Sequence, residues 1–116
     1  MDISFILSTD EVFTLISMID DKTEAGELFS SEALPGAGYC DLSGLVDKKL
    51  ARVAGDELEL APVLRMLADA IARASSIERS GEAWSIRSPW VSLRCEEYPY
   101  REGHLKITPV KEEPTP

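Results

Sequence analysis

His104 is the only histidine of this chain, and an imidazole is the usual general base beside a serine or cysteine nucleophile, so it is the first residue to test for catalysis. It follows Gly103 at an expected hairpin turn, with no nucleophile elbow in the sequence, and is read as an ordinary surface or strand-end histidine. Cys40 and Cys95 stand far apart without a CxxC pair, which leaves no metal-site spacing; both are expected as free thiols, Cys95 on the buried face of a strand. Asp10-Glu11, Asp20-Asp21, Glu96-Glu97 and Glu112-Glu113 pair carboxylates in sequence only, because adjacent residues on a helix or strand point apart. The segment Gly36 to Cys40, GAGYC, lacks the third glycine and leading strand of a dinucleotide loop, and HExxH, GxxxxGK and EF-hand patterns are missing. No catalytic residue, cofactor or metal is therefore assigned, and the chain is expected not to be an enzyme.

The aromatic and arginine side chains of the C-terminal half suggest binding instead. Trp84, Trp90, Tyr98 and Tyr100 fall in or beside expected strands, and Arg87, Arg94 and Arg101 share the region. Arginine and aromatics are enriched where interfaces bury anchors. Trp84 is expected to pack in the core under the longest helix, which leaves Trp90, Tyr98, Tyr100, Arg87, Arg94 and Arg101 as the candidate partner-binding residues.

These residues need elements to hold them. Ser8-Thr9-Asp10-Glu11 is a capping box that opens a helix bearing Val12, Leu15, Ile16 and Ile19 on one face, preceded by a short strand over Ile3 to Leu7. Residues 22–40 read as a loop with one short helix, weakened by Gly26 and closed by Pro35. Asp41 caps a helix running to Leu50 with Lys48-Lys49 in its last turn. Residues 51–54 and 57–60 form a hairpin around Gly55-Asp56, and Pro62 starts the strongest helix, striped by Leu64, Leu67 and Ile71, with Asp69 and Arg73 spaced to pair. Beyond Ser76 the period changes to two: Trp84, Ile86, Leu93 and Cys95 alternate with polar residues, Pro89 marks a turn, and Leu105 with Ile107 lies in a last strand. The fold class is thus α+β, two or three helices with a small hairpin packed on a C-terminal antiparallel β-sheet, as one domain over residues 1–110 with a disordered tail over 111–116.

The formal charge of −9 is unevenly spread, residues 1–60 carrying 13 acidic and 4 basic side chains and residues 61–110 only 6 and 7. An acidic surface does not favour phosphate, so no nucleic-acid partner is expected. The segment MDISFILSTD has an acidic residue where a signal peptide carries basic ones, and no apolar run is long enough to span a bilayer. A cytoplasmic location without membrane contact is the expectation.

Taken in order, LSTDEVFTLISMI, the helix–hairpin–helix of Asp41 to Ala74, and a sheet closing on LKITPV resemble one half of an EspG-type chaperone of type VII secretion systems. The resemblance rests on element order and apolar pattern over residues 3–110. It implies a protein partner, a secreted helical protein, and a second copy of this chain supplying the other half as a homodimer. Leu42 to Leu60 is also similar to the recognition helix and wing of a winged-helix domain, which implies the alternative of a nucleic-acid-binding regulator; its wing, GDELEL, is acidic.

Overall fold

A computed structural model describes residues 4–40, 42–89 and 91–110. Asp41, Trp90 and the expected tail over 111–116 lie outside them. The order is β1 (Phe5–Ser8), α1 (Thr9–Ser17), α2 (Glu24–Ala33), α3 (Ser43–Asp47), β2 (Ala51–Ala54), β3 (Glu57–Leu60), α4 (Pro62–Ala72), β4 (Ser76–Ser80), β5 (Ala83–Arg87), β6 (Ser92–Glu97) and β7 (His104–Val110). The fold is α+β: an antiparallel sheet ordered β1-β7-β6-β5-β4, with helices packed on one face, and a separate β2–β3 hairpin.

Period-two alternation sets the sheet's two faces. Phe5, Ile107, Cys95 and Trp84 stand in one row across four strands, and Pro109, Leu93, Ile86 and Ile77 in the next. Their side chains point to the helices, while Lys106, Thr108, Arg94, Glu96 and Ser85 occupy the helix-free face. Leu64, Leu67 and Ile71 of α4 and Val12, Leu15 and Ile16 of α1 complete a single core. Only about 10 Å³ of free space lies between Leu7, Leu64, Leu67, Ile71 and Ile107, so the packing there is close.

The capping box forms as expected. Glu11 N–H donates to Ser8 Oγ at 3.0 Å and Ser8 N–H to Glu11 Oε1 at 2.8 Å. Glu11 is buried and also takes Lys48 Nζ at 2.7 Å, which ties α1 to the end of α3. Burial pushes the Glu11 carboxyl up, but the Lys48 ammonium and the Ser8 donors outweigh it and hold the group below its ordinary value. Asp69 and Arg73 pair at 3.3 Å, and Trp84 is buried in the core, its ring also meeting Phe29 of α2 edge-to-face at 5.9 Å.

Two helices differ from the sequence reading. The short helix expected within residues 22–40 is the ten-residue α2, longer than the reading suggested, whose N-cap Thr23 accepts from Gly26 N–H at 3.0 Å and donates through its hydroxyl to Ala74 O at 2.6 Å. Gly26 is the reason α2 can lie so close to α4: a Cβ built there would fall 2.0 Å from Ala72 O. The helix read from Asp41 to Leu50 is shorter, Ser43–Asp47, starting at Leu42 without a side-chain cap. It closes in a Schellman turn, with Leu50 N–H donating to Leu45 O at 2.8 Å, Lys49 N–H to Val46 O at 3.0 Å, and Lys49 itself at φ +61°. A lysine in the position that usually belongs to glycine hid that stop in the sequence.

Candidate functional site: the hairpin and its groove

The hairpin turns at Gly55, whose φ of +65° suits a two-residue turn, and pairs Ala51 with Leu60, Arg52 with Glu59, Val53 with Leu58 and Ala54 with Glu57. Facing residues of an antiparallel pair share a side, so Ala51, Val53, Leu58 and Leu60 form an apolar face and Arg52 and Glu59 the opposite one, joined at 2.6 Å. Ala51 and Leu60 pack against the core. Val53 and Leu58 project past it and remain 67% and 38% exposed. Between β3 and the body runs a groove of about 480 Å³, with Leu15, Met18 and Ile19 of the α1 end, Arg65 and Ala68 of α4, and Glu57 to Leu60 along its wall. Met18, at the mouth, is 56% exposed. Large apolar side chains left in water together mark an interaction surface more often than singly scattered ones.

The residues expected to bind a partner do not gather into one patch. Tyr98 and Tyr100 meet edge-to-face at 5.4 Å in the β6–β7 loop, Tyr100 85% exposed with Arg101 beside it. Arg94 lies mid-sheet on the helix-free face, 3.8 Å from Glu96. Arg87 is on the same face at the other end of β6, opposite Ser92. Trp90 lies outside the described residues.

His104 opens β7 with Nδ1 3.0 Å from Glu102 O; since a carbonyl only accepts, Nδ1 carries the proton. A cleft of about 320 Å³ includes His104, Trp84, Cys95, Glu82 and Glu97. Burial, with Glu96 nearby, pushes the Cys95 thiol up to about 12, so near neutral pH it is not a thiolate and has no activated nucleophilicity to offer His104. Among the described residues no three His, Cys, Asp or Glu side chains gather as metal ligands, and no helix is long and apolar enough to cross a membrane.

Of the cations that a winged-helix reading would turn toward phosphate, Lys48 is engaged by Glu11 and Arg52 by Glu59, while Lys49 is exposed. No protein-family model, curated protein or solved structure matches the chain. The exposed apolar residues of the hairpin, Val53 and Leu58, escaped the sequence reading, although the alternation of Arg52 and Glu59 with them was there to be read; alternation reveals which residues share a face but not whether that face is covered.

Proposed function

We propose that this chain is a protein-binding module that receives its partner at the β2–β3 hairpin and the groove beneath it. The observation that carries this reading is the hairpin's apolar face, with Val53 and Leu58 exposed to solvent and Leu58 lining the groove together with Met18. A face held rigid before binding loses little ordering entropy on association. Exposed Tyr100, stacked edge-to-face on half-buried Tyr98 and followed by Arg101, offers a second, smaller contact. The resemblance to EspG-type chaperones suggests a narrower form, an adaptor for a secreted helical protein acting as a homodimer. The nucleic-acid alternative is disfavoured by the acidic wing and by the pairing of Lys48 and Arg52.

The test compares the native protein with a Val53→Asp/Leu58→Asp double variant, each immobilised and exposed to a lysate of the cell that makes the chain. Val53 and Leu58 face each other across the hairpin, so the two aspartates should lower the unfolding midpoint somewhat, and binding is compared at a temperature where circular dichroism shows both proteins fully folded. The native protein should retain a partner and the variant should lose it. Retention of nothing by the native protein, or of the same proteins by both, refutes the reading.

A further inference from the structure

The hydrogen-bond phase of the hairpin shows what lies along the groove. Ala61 N–H donates to Leu50 O at 2.8 Å, one step outside the Ala51–Leu60 pair. Bonded and non-bonded pairs alternate in an antiparallel ladder, so Arg52–Glu59 and Ala54–Glu57 exchange bonds while Leu58 and Leu60 aim their N–H and C=O groups away from β2. The two-stranded sheet ends there, and among the described residues no backbone hydrogen bond reaches those groups. Successive residues of β3, from both of its faces, line the groove while β2 contributes none, so the groove runs along this unpaired edge. Its far wall is built from Leu15, Met18, Ile19 and Ala68, with Arg65 the one charged residue among them.

We propose that β3 receives an extended segment of a partner protein as an added strand, a segment in which apolar residues alternate with basic ones. This rests on the protein-binding reading and specifies its mode. Backbone groups at Leu58 and Leu60 supply the pairing, and the apolar wall takes alternate side chains. The remaining side chains meet the carboxylates of Glu57 and Glu59 in the lining, with Asp56 adjoining them in the turn. Arg65 and the Arg52 bound to Glu59 offset only part of that charge. At about 3.3 Å per residue, β3 accommodates a strand of four or five residues.

The full chain, isotopically labelled, is titrated with a short N-acetylated peptide alternating valine and lysine. Controls are the same composition in block order and a peptide with glutamate in place of lysine. The alternating lysine peptide should shift the amide resonances of Leu58 and Leu60 and slow their exchange, and both controls should bind about tenfold more weakly or worse. Leu58→Pro removes an outward donor without breaking a ladder bond and should reduce binding by about the same factor. Should that variant fail to fold, Glu57→Lys tests the charge: it should weaken the lysine peptide and strengthen the glutamate one. The proposal is overturned if the alternating peptide leaves the two amides unchanged, if block order binds equally, if the shifts fall on Tyr98 and Tyr100, or if the edge is already protected by a second copy, seen as concentration-dependent mass. Failure of the peptide while the hairpin double variant still loses its lysate partner overturns strand addition alone. Failure of both overturns the protein-binding reading as well.

Discussion

Replacing Gly26 by alanine separates two effects of opposite sign. In an isolated helix the change should stabilise by about 1 kcal/mol, since glycine is the poorest helix former after proline. In this protein the new Cβ would lie 2.0 Å from Ala72 O, 2.7 Å from Ala72 C and 2.9 Å from Ile71 O, all backbone atoms of α4 that cannot rotate aside. Helix α2 would have to retreat by about 1 Å before the first contact became tolerable. That retreat costs about 1–3 kcal/mol as overpacking. It also stretches two bonds that hold α2 to α4, Thr23 N–H to Ala72 O at 3.0 Å and Thr23 Oγ1 to Ala74 O at 2.6 Å. Each is worth about 1 kcal/mol. Set against the propensity gain, Gly26→Ala should destabilise by about 1–4 kcal/mol. Urea unfolding monitored by tryptophan fluorescence should show a lower midpoint at unchanged slope. Glu27→Gly at a neighbouring exposed position of α2, which tests propensity without the close approach, should cost only about 1 kcal/mol. A Gly26→Ala protein as stable as the native one would refute the argument that this glycine is required by helix–helix approach.

Leu67→Ala removes a buried side chain from a closely packed part of α4 and should cost about 2–5 kcal/mol, read in the same unfolding assay; an unchanged midpoint would refute the core placement. Because the Glu11 carboxyl is held below its ordinary value, its contribution is present above about pH 4.5 and is lost as pH falls further, so Glu11→Gln should flatten the acid limb of the stability curve; an identical acid limb would refute this. The Cys95 thiol shifts the other way: the fold favours its protonated form, so its contribution is complete below about pH 9 and is lost as pH rises toward 12, and Cys95→Ala should lose less stability than the native protein over that range. In the native state at pH 8, iodoacetamide should label the partly exposed Cys40 well before buried Cys95; equal rates would contradict the burial.

The elements legible in the sequence were those whose signals are local. The capping box at Ser8, Pro62 with the Leu64–Leu67–Ile71 stripe, and the alternation through Trp84, Ile86, Leu93 and Cys95 each state a conformation within a few residues. Helix α2 was obscured because its evidence lies elsewhere in the chain: Phe29 packs on Trp84, and Gly26, unfavourable by propensity, fits only because Ala72 stands beside it. The end of α3 was missed for a local reason, Lys49 in a left-handed conformation. For the site, the hairpin was legible and its exposure was not. Whether Val53 is covered depends on how far the hairpin reaches beyond α1 and α4, which no window of the sequence contains. The same limit scattered the expected Arg87, Arg94, Tyr98, Tyr100 and Arg101 patch, since neighbours in sequence separate to opposite ends of β6.

The strand order β1-β7-β6-β5-β4 has a consequence for how the chain is made. Strand β7, the last of the sheet in sequence, lies between β1 and β6, and its register joins Phe5 to Ile107 and Ser8 to His104. Strands β4, β5 and β6 can zip together as they leave the ribosome, because each meets its neighbour through a short turn. Strand β1, synthesised far earlier, must wait with Phe5 and Leu7 uncovered by any pairing until β7 arrives, and it is then fixed at the cost of closing nearly the whole chain into a loop. The vulnerable period in synthesis is therefore this wait, when an apolar strand with an open edge is available to a chaperone or to another nascent chain. Translation arrested before β7 has emerged should leave β1 sensitive to protease, and release of the chain, or a C-terminal extension long enough to push Val110 out of the exit tunnel, should protect it; early protection of β1 would show that it finds another partner first.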